Sequence, residues 1–235
     1  MKDPDNGKGI VPKDVYGKDF WSEENLNFSR PWYRLEKSAR IINRLSRGRE
    51  CNLLDIGCGP ATLMRLLRPN IRYYGIDIAI HDPAPNLIEA DITKTPIRFH
   101  EKKFDIIIGH GIFEYLGDCQ SQKFAEIAQL INENGIFIVS YWNFGHRKRG
   151  MYAPFSNVQT FDDFRTDLGR YFHIDRFFPA SHNWAHSEPS RKLIKTANMH
   201  ININIPIISP ILAVEYFFIC SPRDSKAKPL LQSGS

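Results

Sequence analysis

Residues 53–63, Leu-Leu-Asp-Ile-Gly-Cys-Gly-Pro-Ala-Thr-Leu, are the stretch that most constrains how this chain can fold. A mostly apolar strand pattern runs directly into a turn that contains Gly57 and Gly59, and a short helical pattern opens at Thr62. The two glycines let the backbone turn sharply, and they let a ligand approach the main chain where a Cβ would otherwise stand. A strand, a glycine turn and a helix in this order predict an α/β fold with a ligand site at the turn.

The rest of the chain alternates between apolar strand patterns and amphipathic helical patterns. Strands that are separated by helices need crossover connections, and strands that are apolar throughout are buried on both faces. The alternation therefore predicts a doubly wound α/β sheet with helices on both faces. The predicted strands span residues 52–56, 73–78, 86–90, 104–109, 136–140, 172–179 and 211–220. The predicted helices span residues 20–47 (one or two helices), 62–67, 121–131, 160–168 and 190–197.

The length of 235 residues fits one large domain with appendages. We expect a helical extension or lid over residues 1–48, a main domain over 49–220 and a disordered tail over 221–235. Irregular stretches at about 141–159 and 180–209 interrupt the main domain, and both follow predicted strands at the edge where substrates bind. These two stretches are predicted to define the substrate.

The net charge and the cysteine content indicate which partners and which cellular compartment to expect. The formal net charge of +5 is mildly basic, which is compatible with an anionic substrate or with nucleic acid but demands neither. The four cysteines form no CxxC pair, so we expect no disulfide framework and no zinc site, and a reducing cytoplasmic location follows. Proline, asparagine and glutamate interrupt the apolar stretch 203–220, so we predict strand and loop there and no transmembrane segment.

Three acids follow predicted strands in order, and they distinguish between possible cofactors. A dinucleotide loop carries a third glycine three residues after the second, whereas Thr62 stands at that position here. Asp55 precedes the turn, where its carboxylate would repel a pyrophosphate but would help to hold a cationic amino acid group. Asp77 ends the second strand, where a carboxylate can accept both hydroxyls of a ribose, and Asp91 follows the third strand, where it can accept from an adenine amino group. This set favours S-adenosylmethionine over NAD.

Residues 51–142 resemble the core of a class I, Rossmann-like, S-adenosylmethionine-dependent methyltransferase, and are closest to the broad type 11 small-molecule group. The matching motifs are LLDIGCGPATL, YYGIDIA, EADIT, FDIIIGHGIFEYL and INENGIFIVSYWN. The resemblance implies a seven-stranded, mostly parallel sheet whose last strand is antiparallel. It also implies S-adenosylmethionine as cofactor and S-adenosylhomocysteine as product. The cofactor contacts that it implies are Asp55, Gly57, Cys58 and Gly59 at the methionine part, Asp77 and Ile78 at the ribose, Asp91 and Ile92 at the adenine, and His110 and Gly111 beside the sulfonium.

Three side chains are candidates for acid–base chemistry. His110 follows the fourth strand at the ligand-binding edge, and an imidazole suits a general base, although it could equally pack on the cofactor. Glu114 could face the pocket, but the family's usual acid at this place favours a structural or cofactor-shell role. His146 is a second base candidate beside the basic run 147–149. His182 and His186 have a helical spacing, but their flanking residues do not favour a metal site, and none is predicted.

Aromatic residues are dense near the N-terminus. Tyr16, Tyr33 and Arg34 could cover the cofactor and grip its carboxylate, or the aromatic rings could simply anchor the helices to the sheet.

Three functions remain in competition. The leading hypothesis is methyl transfer to a small molecule, such as a natural-product, sugar or lipid-linked intermediate, by in-line displacement. The basic runs 147–149 and 191–195 raise RNA as an alternative acceptor, but Gly109-His110-Gly111-Ile112 stands where amino-group nucleic-acid methylases carry Asn/Asp-Pro-Pro-Tyr. A non-catalytic partner or regulator that keeps the fold, with or without the cofactor, is the third. A basic helix beside the apolar stretch 201–211 would also permit peripheral membrane contact.

Overall fold

A computed structural model describes residues 33–99, 102–142, 160–182, 204–205, 209 and 213–223 of this chain. These residues include a seven-stranded sheet in the order β3-β2-β1-β4-β5-β7-β6. The strands are β1 (Cys51–Ile56), β2 (Ile71–Asp77), β3 (Leu87–Glu89), β4 (Phe104–Gly109), β5 (Ile131–Trp142), β6 (Phe172–His182) and β7 (Ala213–Pro222).

The pairing of the strands confirms the predicted doubly wound fold. β1 is parallel to both β2 and β4, and β4 is parallel to β5. β7 is antiparallel to both of its neighbours, β5 and β6. The sheet is therefore parallel apart from its last strand, and the carboxyl ends of β1, β2, β4 and β5 lie along one edge.

Three α-helices of the described residues cover the two faces of the sheet: α1 (Tyr33–Leu45), α2 (Gln120–Leu130) and α3 (Phe161–Tyr171). On one face, Ala39 and Ile42 of α1 pack in a cluster with Ile106 and Phe217. On the other face, α2 and α3 join a larger cluster through the buried residues Phe124, Ile127, Phe164 and Leu168. Each such buried side chain contributes on the order of 1.5–3 kcal/mol relative to an exposed one.

The start of α3 follows directly from local sequence. The Thr160 hydroxyl accepts from the Asp163 backbone N–H, and the Asp163 carboxylate accepts in return from the Thr160 backbone N–H. This reciprocal pair is a capping box, which satisfies backbone donors of the first turn of α3. β6 begins at the residue directly after α3 ends.

Several boundaries differ from the predicted ones. The helix predicted at 62–67 is a short 3₁₀ helix, Thr62–Leu66, because Ala61 before it has a left-handed backbone and Leu67 after it is extended. β5 begins five residues earlier than predicted, because Ile131 already pairs with Phe104. The register then shifts, and regular pairing resumes between Ile106 and Ile136. β7 runs to Pro222, which pairs with Phe172, so this strand ends two residues later than predicted.

No helix among the described residues is both long enough and apolar enough to cross a membrane. The four cysteines are free thiols, and Cys51, Cys58 and Cys220 are buried.

Candidate active site

The glycine turn after β1 has the conformation that its residues demand. Gly57 and Gly59 have φ values of 75° and 51°, in the left-handed region that glycine adopts without strain. The backbone N–H groups of Gly57 and Cys58 both donate to the Ile76 carbonyl, at 2.8 and 3.2 Å. A Cβ on Gly57 would lie 3.1 Å from Cβ of Ile112, so the turn also packs closely against the loop after β4.

Asp77 holds this turn from the end of β2. Its Oδ2 accepts from the Gly59 backbone N–H at 2.8 Å, and its Oδ1 accepts from the Ala79 backbone N–H at 3.2 Å. The side chain is only 7% exposed, and burial raises the pKa of the carboxyl despite the backbone donors. Each carboxylate oxygen keeps a further lone pair, so the ionised group can still accept hydrogen bonds from a ligand.

Asp55 lies on the neighbouring strand with a partner that sequence analysis missed. Oδ2 of Asp55 accepts a 2.7 Å hydrogen bond from the Tyr73 hydroxyl, and both residues are buried. Burial and the nearby Asp55 raise the pKa of Tyr73, which keeps the phenol protonated as a donor. Strand alternation predicts that Tyr73 is buried, but nothing local indicates that its hydroxyl reaches Asp55.

The charges of both acids act on the thiol of Cys58. Burial, followed by the charges of Asp55 and Asp77, raises its pKa, so it stays protonated. Gly75 of β2 lies against it, because a Cβ at Gly75 would be 2.7 Å from Sγ of Cys58. A larger residue at position 75 would therefore collide with the Cys58 side chain of the glycine turn.

Asp91 forms a local turn after β3. Its Oδ1 accepts from the backbone N–H and the hydroxyl of Thr93, and its Oδ2 is 3.1 Å from Nζ of Lys94. Burial acts to raise the pKa of Asp91, but the bonds from Thr93 and Lys94 outweigh it, and the pKa is lowered. The carboxylate is thus ionised at neutral pH, and the neighbouring Ile92 is buried.

His110 follows β4 directly and is 9% exposed. Its ring stacks on Phe217 of β7, with centroids 4.9 Å apart and planes at 9°. Oγ of Ser38, on α1, lies 3.2 Å from Nε2 and 3.4 Å from Nδ1 of the ring. The next residue, Gly111, has a φ of 59° and donates its backbone N–H to Oγ of Ser140 at 2.9 Å.

Glu114 is buried in the 3₁₀ turn Phe113–Tyr115 and accepts from the Trp142 backbone N–H at 2.8 Å. This bond joins the loop after β4 to the end of β5. The carboxylate therefore has a positioning contact, which is the kind of role that the resemblance favours for it.

A buried lysine on α1 was also missed. Nζ of Lys37 donates to the carbonyls of Pro179 at 3.0 Å and Ala180 at 3.4 Å, and it lies 5.2 Å from the centroid of the Phe178 ring. The side chain is 1% exposed, and burial lowers its pKa to about 8, although the charge of Glu215 acts in the opposite direction. The spacing of the apolar residues in α1 does not predict that this lysine is buried.

The remaining predicted residues lie wholly or partly outside the described part of the chain. Tyr16, His146 and His186 belong to segments that are not described, as do the basic runs 147–149 and 191–195. Tyr33 and Arg34 begin α1 and His182 ends β6, but their side chains are not described. Within the described ranges, no cluster of three or more histidine, cysteine or acidic side chains could hold a metal ion.

Comparisons with known proteins agree with this fold. A family model described as a methyltransferase domain matches residues 32–178. No curated protein sequence matches the chain significantly.

Three solved structures have similar folds at low sequence identity. A TehB-like, S-adenosylmethionine-dependent methyltransferase from Corynebacterium glutamicum is 14% identical, with a TM-score of 0.59 over 88% of this chain and 98% of that one. A methyltransferase in complex with the Haloferax volcanii Trm112 methyltransferase activator is 13% identical, with a TM-score of 0.60 over 87% of this chain and 96% of that one. The plantazolicin methyltransferase BpumL, in complex with a triazolic desmethylPZN analogue and S-adenosylhomocysteine (SAH), is 15% identical, with a TM-score of 0.52 over 88% and 95%.

The family model covers more than half of the chain, and the strand order and glycine turn are those that the sequence motifs imply. The protein belongs to the methyltransferase-domain family and is a class I, S-adenosylmethionine-dependent methyltransferase.

Proposed function

We propose that this enzyme methylates a small-molecule acceptor and that His110 is the general base of the reaction. The observation that carries the proposal is the position of His110, which directly follows β4 at the same sheet edge as the glycine turn. Phe217 and Ser38 hold its ring, and a small part of that ring stays exposed.

The cofactor site that we propose uses the residues along the carboxyl ends of β1, β2, β3 and β4. Asp77 would accept the ribose hydroxyls, because its two oxygens are already oriented by backbone donors and keep free lone pairs. The turn Gly57-Cys58-Gly59 and Asp55 would hold the methionine part, with Ile78 beside the ribose and Asp91 and Ile92 beside the adenine. His110 and Gly111 would border the sulfonium. Bound S-adenosylmethionine supplies an electrophilic methyl group that the acceptor attacks in line.

The protein's part in this chemistry is orientation, desolvation and proton removal. Main-chain bonds to Ile76, Asp77 and Ser140 fix the loops on both sides of the proposed reaction centre. A hydroxyl acceptor must lose a proton as the new bond to carbon forms, and an ammonium acceptor must lose one before it can attack. A ring nitrogen of His110 would take that proton.

Two observations support a small-molecule acceptor: the sequence motifs and one solved structure of similar fold. The motifs resemble the type 11 small-molecule group, and the fold is shared with the plantazolicin methyltransferase BpumL, which was solved with a triazolic desmethylPZN analogue. The basic runs 147–149 and 191–195 raise RNA as the alternative acceptor, so RNA is tested beside small molecules. The same proposal includes residues 1–48 as a lid and residues 141–159 and 180–209 as substrate-defining segments. It also includes the residues after β7 as a tail, and a cytoplasmic location.

The cofactor assignment is tested by calorimetric titration with SAH. We expect micromolar binding to the full chain, a large loss of affinity in Asp77→Ala, and little change in Asp82→Ala. Asp82 is an exposed acid in the same loop, so it controls for loss of a carboxylate. Absence of binding to folded protein would overturn the cofactor site and favour the non-catalytic alternative.

The acceptor class is tested with methyl-labelled S-adenosylmethionine and two separate acceptor pools, a deproteinised metabolite extract and total RNA. We expect label in the metabolite pool, with turnover strongly reduced in His110→Gln while SAH affinity is kept. Label in the RNA pool alone would contradict the small-molecule assignment. Unreduced turnover in His110→Gln would contradict the role of His110 as base.

A further inference from the structure

Ser140 is a buried hydroxyl in an apolar part of β5. Residues 136–141 read Ile-Phe-Ile-Val-Ser-Tyr, and Ser140 is 0% exposed. Alternation along the strand places it on the same face as Ile136 and Ile138, which belong to the apolar cluster on the α1 side of the sheet. A hydroxyl among apolar side chains costs free energy unless it forms a hydrogen bond. The bond that Ser140 forms therefore explains how a serine is accommodated at this position.

The partner of this hydroxyl lies in the loop that follows β4. Oγ of Ser140 accepts from the Gly111 backbone N–H at 2.9 Å. Gly111 has a φ of 59°, a left-handed conformation that glycine adopts without strain. Backbone pairing of β4 with β5 ends at Gly109 and Val139. Ser140 therefore ties the loop to β5 just past the last backbone pair, and its bond restrains the left-handed turn at Gly111.

The same loop has contacts on both sides. Oε1 of Glu114 accepts from the Trp142 backbone N–H at 2.8 Å, which ties the loop to β5 a second time. Towards β1, the Ile112 side chain lies against Gly57, where an added Cβ would be 3.1 Å from Cβ of Ile112. A shift of the turn at Gly111 would therefore move the residues on either side of it, and with them the contact between Ile112 and the glycine turn.

Methyl transfer by in-line displacement is sensitive to small displacements of the groups around the reaction centre. The proposed function places His110 and Gly111 beside the sulfonium, so the position of this loop bears directly on that alignment. We propose that Ser140 is a positioning residue for methyl transfer, whose hydroxyl holds the turn at Gly111 and thereby keeps the loop aligned with the methyl group. This inference rests on the proposed function. It requires an oxygen acceptor at position 140, and it is independent of whether His110 acts as a base.

The hydrogen bond itself is tested by hydrogen exchange of the Gly111 amide, followed by NMR in the full chain with SAH added. His110-Gly111 is the only His-Gly pair in the sequence, so carbonyl-labelled histidine combined with nitrogen-labelled glycine selects a single amide signal. We expect this amide to exchange roughly three- to tenfold faster in Ser140→Ala, the range that the loss of one net hydrogen bond supports. Ser140→Thr keeps the acceptor oxygen and should restore slow exchange.

The consequence for catalysis is measured as the rate of label transfer from saturating methyl-labelled S-adenosylmethionine into whichever acceptor pool takes the label. Ser140→Ala should lower this rate roughly three- to tenfold, with little change in SAH affinity. Ser140→Cys fills the same space but offers only a weak acceptor, so it should also be slow. Ser140→Thr should recover the native rate.

Ser46→Ala is the matched control. Ser46 is also a buried serine, but its hydroxyl donates to the Asn43 carbonyl, away from the site. This variant should keep both the native exchange of Gly111 and the native rate of transfer. Urea denaturation of all the variants separates a change in alignment from a general loss of stability.

The outcomes distinguish this inference from the proposed function. Unchanged Gly111 exchange in Ser140→Ala overturns it, and so does faster exchange with an unchanged rate of transfer. A native rate in Ser140→Cys overturns it as well, because filled space rather than the acceptor oxygen would then matter. Slower transfer with faster exchange in Ser140→Ala, both restored by Ser140→Thr, supports it. If His110→Gln keeps the full rate while Ser140→Ala is slow, the base assignment fails and the positioning role of Ser140 is supported.

Discussion

The Tyr73 hydroxyl donates a 2.7 Å hydrogen bond to Oδ2 of Asp55, and this bond joins β2 to β1 two residues before the glycine turn. Both side chains are buried, so the carboxylate depends on protein donors for its hydrogen bonds. The turn that follows is positioned by the strand on which Asp55 lies. The Tyr73–Asp55 pair therefore connects the stability of the sheet to the shape of the proposed methionine site.

Replacing Tyr73 by phenylalanine should lower both stability and cofactor affinity. Removal of one donor to a buried carboxylate should reduce the free energy of unfolding by about 1–3 kcal/mol, as measured by urea denaturation. Calorimetry should show weaker SAH binding. Tyr74→Phe is the control, because the neighbouring Tyr74 hydroxyl accepts from Lys102 and is not part of the site. Equal SAH affinity in the two variants would refute a link between Tyr73 and the cofactor.

Replacing Gly75 by alanine should disturb the glycine turn from inside the sheet. The added Cβ would lie 2.7 Å from Sγ of Cys58 and 2.8 Å from Cδ2 of Leu87. Overpacking of this kind costs about 1–3 kcal/mol of unfolding free energy, and displacement of Cys58 should also weaken SAH binding. Gly169→Ala in α3 meets nothing within 4 Å and should instead stabilise the protein, by about 0.5–1 kcal/mol. Native stability and affinity in Gly75→Ala would show that the turn tolerates displacement.

Binding of SAH should weaken as the pH is lowered, because Asp77 accepts hydrogen bonds fully only when ionised. Burial raises the pKa of this carboxyl in the folded protein, so protonation begins at a higher pH than for an exposed aspartate. The pKa of Asp91 is lowered, so Asp91 stays ionised over the same range. Titrations from about pH 7.5 to about pH 5 should show falling affinity in the native protein. Asp77→Asn should bind SAH roughly ten- to hundredfold more weakly, and its affinity should depend little on pH. If SAH affinity falls with pH equally in the two proteins, Asp77 is not the titrating group.

Lys37 should make the protein more stable at alkaline pH. Burial lowers its pKa from 10.5 to about 8 in the folded state. Between these values the unfolded chain holds the proton and the native protein does not, so the free energy of unfolding rises with pH across this window. Glu215 is the charged group that opposes the shift. Relative to Lys37→Met, the native protein should gain up to about 3 kcal/mol over this window, as measured by urea denaturation at several pH values. A constant difference between the two proteins would show that Lys37 does not titrate there.

Much of the fold could be predicted from the sequence because its signals are local. The strand that leads into Gly57 and Gly59 needs only neighbouring residues to define it, and the capping box at Thr160 needs only four. The length of β5 could not be predicted, since the pairing of Ile131 with Phe104 is a contact between strands. The short 3₁₀ helix after the turn likewise depends on the backbone of Ala61, which no propensity indicates.

The sequence by itself determined the doubly wound sheet, the glycine turn and the order of Asp55, Asp77 and Asp91 along one edge. Periodicity and turn chemistry specify these features one element at a time. Only the tertiary structure decided which side chains meet at the site: Tyr73 with Asp55, Glu114 with the backbone of Trp142, and Ser38 and Phe217 with His110. The two partners of His110 come from β7, which lies antiparallel between β5 and β6, and from α1, which packs across that face. Such contacts depend on strand order and on burial of distant residues together, which no local pattern encodes.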